Sequence, residues 1–255
     1  MPKKTKEKRV ILLIVEGKSD QVTLENAFRR TLMERYPSCN AKVHVIHGDG
    51  TLKRPYGSYI VSSEAIKATN ALVRAYLQRQ SQFNGIKPRD ILGIAQITDL
   101  DACFADAFCF VTSPSVSEVM YDISNHQVLS PSGSDLIKKR EAKQQNLLRL
   151  NACDHMTINK MEIPYQLFYF GIDLEYALYG RVNCTDDEKE SLSNTFDDQY
   201  GVGGDPFLER MRQIPSLSPL YRPSWDDGEL KAKAFDPLSN FLIIFDWIQG
   251  LMATQ

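Results

Sequence analysis

An α/β fold built on a parallel sheet is predicted by three observations. Val10–Val15 is an unbroken apolar run rich in β-branched residues, which reads as a strand buried on both faces. Ala41–His47 and Ile91–Thr98 also have strand character. Long helical patterns separate the three runs, and such alternation gives a sheet joined by right-handed crossovers.

The elements follow in order. A basic segment, Pro2 to Arg9, precedes the first strand, which ends in E-G-K-S-D. Ser19 is a good N-cap, and Asp20 complements the dipole of the helix it would open. Val22, Leu24, Ala27, Phe28, Thr31, Leu32 and Tyr36 form that helix's apolar stripe, and Pro37 stops it. Residues 48–61, with Gly48, Gly50, Pro55 and Gly57, read as a loop. Ser62–Phe83 is a second helix, and the third strand runs into Asp99-Leu100-Asp101.

Beyond it, Ala102–Asn125 holds a short apolar run and then turn residues. Ser134–Asn151 is a helix with a basic face of Lys138, Lys139, Arg140, Lys143 and Arg149, suited to a phosphate backbone or to solvent. Tyr165–Phe170 is a fourth strand, followed at once by G-I-D-L-E-Y-A-L-Y-G. Further helices are expected near Asp186–Asp198, Pro206–Gln213 and Leu238–Met252.

Composition narrows the function classes. The 255 residues are 43% hydrophobic and carry a net charge of −2, so contact with a polyanion must come from local patches. Cys39, Cys103, Cys109, Cys153 and Cys184 are odd in number and scattered, which argues against a disulfide framework or zinc site. No apolar run approaches the roughly 20 residues of a membrane span, and Val10–Val15 is too short for a signal-peptide core. A cytoplasmic protein is expected.

The chemistry concentrates at one sheet edge. Carboxyl ends of parallel strands line up about 4.8 Å apart sideways, and ligands collect there. Glu16 ends the first strand, Asp99 and Asp101 end the third, and Asp20 can point back to the same place. Four unpaired carboxylates would repel one another. Mg²⁺ or Mn²⁺ resolves this, since oxygen-only ligands suit hard cations. Two such ions can activate water and stabilise the leaving oxygen in phosphodiester cleavage.

I-V-E-G-K-S-D, with D-L-D some eighty residues later at another strand end, resembles the Toprim domain. Toprim domains occur in topoisomerases, bacterial primases, a ribosomal-RNA maturase and the overcoming-lysogenization-defect (OLD) nucleases. Asp20, four residues after Glu16, and Glu175 in the later L-E resemble the OLD-like branch, with Asp173 a weaker match. The resemblance implies a Rossmann-like parallel sheet of about four strands over residues 9–180. It places an inserted helical section at about 103–163 and a C-terminal helical section at 181–255.

It also implies an Mg²⁺-dependent endonuclease acting on DNA or RNA, with Glu16, Asp20, Asp99, Asp101 and Glu175 as metal ligands. Glu16, Asp99 and Asp101 would be catalytic, together with a late lysine, Lys231 or Lys233. The chain resembles stand-alone Toprim effectors of phage defence, some of which work with a separately encoded ATPase. Phe235, Phe241, Ile244, Phe245, Trp247 and Leu251 offer such a partner a docking surface, unless they pack on the sheet. Homo-oligomerisation, substrate identity and sequence preference stay open.

Alternatives are weighed on the same residues. G-K-S at 17–19 lacks the glycine a Walker loop needs at position 12, which is Leu. D-L-D-A resembles the start of a haloacid-dehalogenase-type phosphatase, but leaves E-G-K-S-D without a role. His44 and His47 have no partner at metal spacing, and Asp186, Asp187, Glu188 and Glu190 read as solvated. A Toprim module that binds without cutting and a housekeeping RNA-processing nuclease are the rival functions. For the cleaving enzyme, Asp101→Ala is expected to leave the fold intact by relieving repulsion.

Overall fold

The computed structural model describes residues 9–37, 41–47, 62–83 and 85–254. The expected loop at 48–61 and Cys39 lie outside the described residues, as do the side chains of His44 and His47.

Strands β1 (Arg9–Val15), β2 (Ala41–His47) and β3 (Ile91–Asp99) alternate with helices α1 (Lys18–Arg35) and α2 (Ser62–Phe83). Phe110–Thr112, Met120–Asp122 and Gln127–Ser130 form β4, β5 and β6, and α3 spans Gly133–Asn151. β7 (His155–Ile158) and β8 (Met161–Phe170) complete the main sheet, whose order is β2-β1-β3-β8-β7. β1, β2, β3 and β8 are parallel, while β7 pairs antiparallel with β8. The rest is helical: α4 (Leu174–Tyr179), α5 (Asp186–Tyr200), α6 (Gly204–Arg212), α7 (Asp227–Ala232) and α8 (Ile243–Ala253).

Alternation along β1 divides the core. Val10, Leu12 and Ile14 face α2 and α3, while Ile11, Leu13 and Val15 face α1, α6 and α8. The sheet is therefore covered on both sides, as its doubly apolar strands require. β2 and β3 lie on opposite sides of β1, so the chain changes direction at the β1/β3 boundary. In open α/β sheets the crevice outside the strand ends at that switch point is where ligands bind.

Several expectations need correction. Gly17, not Ser19, is the N-cap of α1, and Asp20 accepts its backbone N–H at 2.9 Å. The inserted section is not purely helical, because β4, β6 and β5 make a small sheet inside it. β7 and the first residues of β8 also fall inside the expected insertion, yet they extend the main sheet to five strands. Short strands of three or four residues carry too few alternations to be read as strands.

The C-terminal aromatic residues build core. Phe241, Ile244 and Phe245 are at most 1% exposed, and Phe28 meets the Phe241 and Phe245 rings at 5.9 and 5.3 Å. Phe235 is buried, and Trp247 and Leu251 close over Gly93 of β3. A Cβ at Gly93 would stand 2.6 Å from Leu251 and 2.8 Å from Trp247, so glycine lets α8 approach the sheet. Phe241, Ile244 and Phe245 thus pack on the sheet, Trp247 and Leu251 are partly buried against it, and Phe235 packs with Ala102, Phe110 and Leu136 instead. Among the described residues, no helix is long and apolar enough to cross a membrane.

Candidate metal centre

Glu16 follows β1 directly, and its position is fixed by β3. Thr98 Oγ1 donates to Glu16 Oε1, and the Asp99 backbone N–H donates to the same oxygen at 3.3 Å. Asp99 itself is in register with Phe170 of β8, which places it between two neighbouring parallel strands.

The chain then turns sharply. Leu100 N–H donates to the carbonyls of Phe170 and Gly171, and Asp101 N–H to that of Ile172. Asp101 and Ala102 have φ of 53° and 56°. Left-handed backbone at two consecutive residues other than glycine costs about 1–2 kcal/mol each and is found where surrounding contacts impose it, often at functional sites.

Those contacts come from the insertion. Lys143 Nζ lies 2.5 Å from Asp101 Oδ2 and 3.4 Å from Glu16 Oε1, and its side chain is completely buried. Arg140 Nη1 reaches Asp101 Oδ2 at 3.1 Å, and its Nη2 donates to Tyr121 OH at 2.8 Å. Tyr121 OH in turn donates to Asp101 Oδ1 at 2.9 Å. Burial opposes ionisation of Asp101, but Lys143 and Arg140 overcome it and hold the carboxyl below its usual range.

Asp99 has the opposite environment. Burial raises its pKa well above the usual range, and Asp20, Glu16, Asp173 and Asp101 raise it further. Asp20 is raised by burial and by Glu175, against the opposing effects of the Gly17 N–H and Lys189. Asp173 caps α4 by accepting from Tyr176 N–H at 2.7 Å, yet burial pushes it up to about 6. Glu175 is buried and pairs with Lys189 of α5 at 3.4 Å. Glu16, Asp20, Asp99, Asp101, Asp173 and Glu175 thus share one region with Lys143, Arg140 and Lys189, leaving an excess of negative charge.

This set fits a hard divalent cation in its chemistry, since every anionic donor is a carboxylate oxygen. Among the described residues, no three His, Cys, Asp or Glu side chains already converge on one point. A cleft of about 550 Å³ adjoins the region, lined in part by Gly17, Lys18, Ser19, Asp186, Lys189 and Asn194. Lys189 belongs to both the cleft and the carboxylate group.

The predicted basic face does not exist as one surface. Lys138, Lys139 and Arg149 are exposed, but Arg140 and Lys143 turn inward onto Asp101 and Glu16. Lys231 pairs with Asp106 at 2.6 Å beside a separate cleft of about 580 Å³. Lys233 reaches Glu229 at 3.7 Å, one helical turn away. The ion pairs of both late lysines therefore lie outside the carboxylate group. Sequence reasoning missed Lys143, Arg140, Tyr121, Thr98 and Lys189 as parts of the centre, and Asp173 joins it more fully than its weak match implied.

Compared with protein-family models, curated proteins and solved structures, the chain matches none.

The electrostatics predict how metal-free stability depends on pH. Acids raised on folding bind protons that the unfolded chain has released, so stability falls as pH rises from the unfolded value near 4 toward the folded one. Asp99, Asp20 and Asp173 all act in this sense, with the window for Asp173 closing at about 6. Asp101 acts oppositely, but its contribution is lost only below the unfolded carboxylate value. In chelator, the Asp173→Asn variant should lose less stability than the unmodified protein between about pH 4 and pH 6. Paired thermal melts measure the difference, and equal losses would refute the shift at Asp173.

Proposed function

We propose that this protein is a divalent-metal-dependent nuclease that hydrolyses phosphodiester bonds, with its cation held by Asp99 at the end of β3, Asp173 beyond the end of β8, and Asp20 in the first turn of α1. The observation that carries this reading is the gathering of Glu16, Asp99 and Asp173 with Asp20 at the switch point of a parallel sheet. A packing role does not account for so many acids beside Asp99, whose ionisation they oppose. The Toprim resemblance of E-G-K-S-D and D-L-D supports the same reading independently of the geometry.

Asp99, Asp20 and Asp173 are the residues whose charge a cation would stabilise most, with Glu16 at their border. A bound Mg²⁺ or Mn²⁺ would polarise a phosphoryl oxygen and lower the pKa of an attacking water. Glu16, held by Thr98 and the Asp99 N–H, would orient that water or accept its proton. Lys189, which lines the neighbouring cleft and pairs with Glu175, supplies positive charge for a phosphate. Lys138, Lys139 and Arg149 lie on the exposed side of α3, and their charges suit a nucleic-acid backbone. An ATPase partner and a role in phage defence are part of the proposal through the Toprim resemblance alone.

Purified protein incubated with single- and double-stranded DNA and RNA tests the activity. Cleavage of at least one substrate should require Mg²⁺ or Mn²⁺, stop in chelator, and be lost in Glu16→Ala. Cleavage that persists in chelator, or in folded Glu16→Ala, would exclude this centre. No cleavage of any substrate with either ion would favour a module that binds without cutting.

A further inference from the structure

The centre has two electrostatically different halves. Asp101 accepts Lys143 and Arg140 on one oxygen and Tyr121 on the other, and Glu16 accepts Thr98, the Asp99 N–H and Lys143. This half is already neutralised. Asp99, Asp20, Asp173 and Glu175 make up the other half, where Lys189 pairs with Glu175. A divalent cation gains most where negative charge lacks compensation.

Lys143 is built into its position. It is completely buried, and it lies on the inward stripe of α3 between Leu136, Arg140, Leu147 and Leu150. Leaving α3 for solvent would separate a buried ammonium from two carboxylates, a change that costs several kcal/mol when one partner of such a pair is lost. Its Nζ touches both Glu16 and Asp101, two of the acids expected from the sequence to be metal ligands.

We propose that the Lys143 ammonium takes the place of a second metal ion, so that the centre holds one divalent cation, in the Asp20–Asp99–Asp173 half. This inference rests on the metal-dependent reading above and replaces the two ions expected from the sequence. A fixed ammonium beside Glu16 supplies one of the two positive charges that a two-metal site uses to stabilise the attacking and leaving oxygens. As a point charge on a flexible stem it can serve where a ligand cage would need further oxygen donors.

Mn²⁺ titration followed by calorimetry and electron paramagnetic resonance distinguishes the possibilities without requiring turnover. The unmodified chain should bind one Mn²⁺, Lys143→Met should bind two, and Lys143→Arg should bind one. Two ions on the unmodified chain would overturn the role of Lys143, whatever the variants do. A folded Lys143→Met that still binds one ion would also overturn it. Binding of no Mn²⁺ by the unmodified chain, with or without substrate DNA or RNA, would instead reject the metal reading and this inference with it. If Lys143→Met does not fold, the count on the unmodified chain and on Lys143→Arg decides.

Discussion

Replacing Asp99 with Asn should stabilise the metal-free protein while abolishing metal-dependent cleavage. Asp99 is buried among Asp20, Glu16, Asp173 and Asp101, each of which opposes its ionisation. Among the described residues, no side-chain donor is bonded to its carboxylate. An amide of the same shape removes the charge and can donate to a neighbouring acid. Relief of this kind is worth about 0.5–2 kcal/mol, or roughly 2–4 °C for each kcal/mol in a domain of this size. Loss of a ligand that supports several kcal/mol of transition-state stabilisation lowers the rate on the order of 10²- to 10³-fold. Melting in chelator and cleavage in Mg²⁺, measured on one preparation, test both halves. A variant less stable than the unmodified protein would contradict the electrostatic part, and full activity the catalytic part.

Asp101→Ala should do the reverse to stability, although Asp101 stands only two residues further along. Arg140 pairs with Asp101, Lys143 makes its shorter ion pair with Asp101 and its longer one with Glu16, and Tyr121 donates to Asp101 as well. Removing one member of a buried ion-pair network typically costs about 3–5 kcal/mol, because the remaining charges stay desolvated. The left-handed backbone at Asp101 and Ala102 adds strain that these contacts hold in place. Chemical denaturation should therefore show a large drop in the midpoint with little change in slope. This corrects the expectation that Asp101→Ala relieves repulsion and leaves the fold intact. Unchanged stability in that variant would mean that the pairing with Lys143 and Arg140 contributes nothing.

The contrast between these neighbours shows where sequence reading stops. The parallel sheet was legible because β1 is apolar at every position from Val10 to Val15 and is buried on both faces. That Glu16, Asp99 and Asp101 share one sheet edge was legible because they stand at or just beyond the ends of buried parallel strands. Which acid would be compensated was not legible, since the compensating cations arrive from the insertion more than forty residues downstream of Asp99.

A partial signal was present in α3. Leu136, Arg140, Lys143, Leu147 and Leu150 are spaced four, three, four and three residues apart, which is the spacing of a buried helical stripe. Two cations on such a stripe point to buried acidic partners rather than to solvent. Grouping them with Lys138, Lys139 and Arg149 by charge concealed this. Lys189 was hidden in a similar way, because the surrounding acids of α5 read as a solvated run, and only Glu175 shows that it faces inward. β4, β5 and β6 were missed for a different reason: their pairing is non-local, and each is too short to display a period.

Anomalous diffraction from crystals grown with Mn²⁺ tests most directly whether a divalent cation belongs to this carboxylate group. A peak bounded by the carboxylates of Asp20, Asp99 and Asp173, with Lys143 still paired to Asp101, is the expected result. At full soaking, with substrate nucleic acid present, the absence of any peak within ligand distance of these three carboxylates would contradict the proposed metal centre.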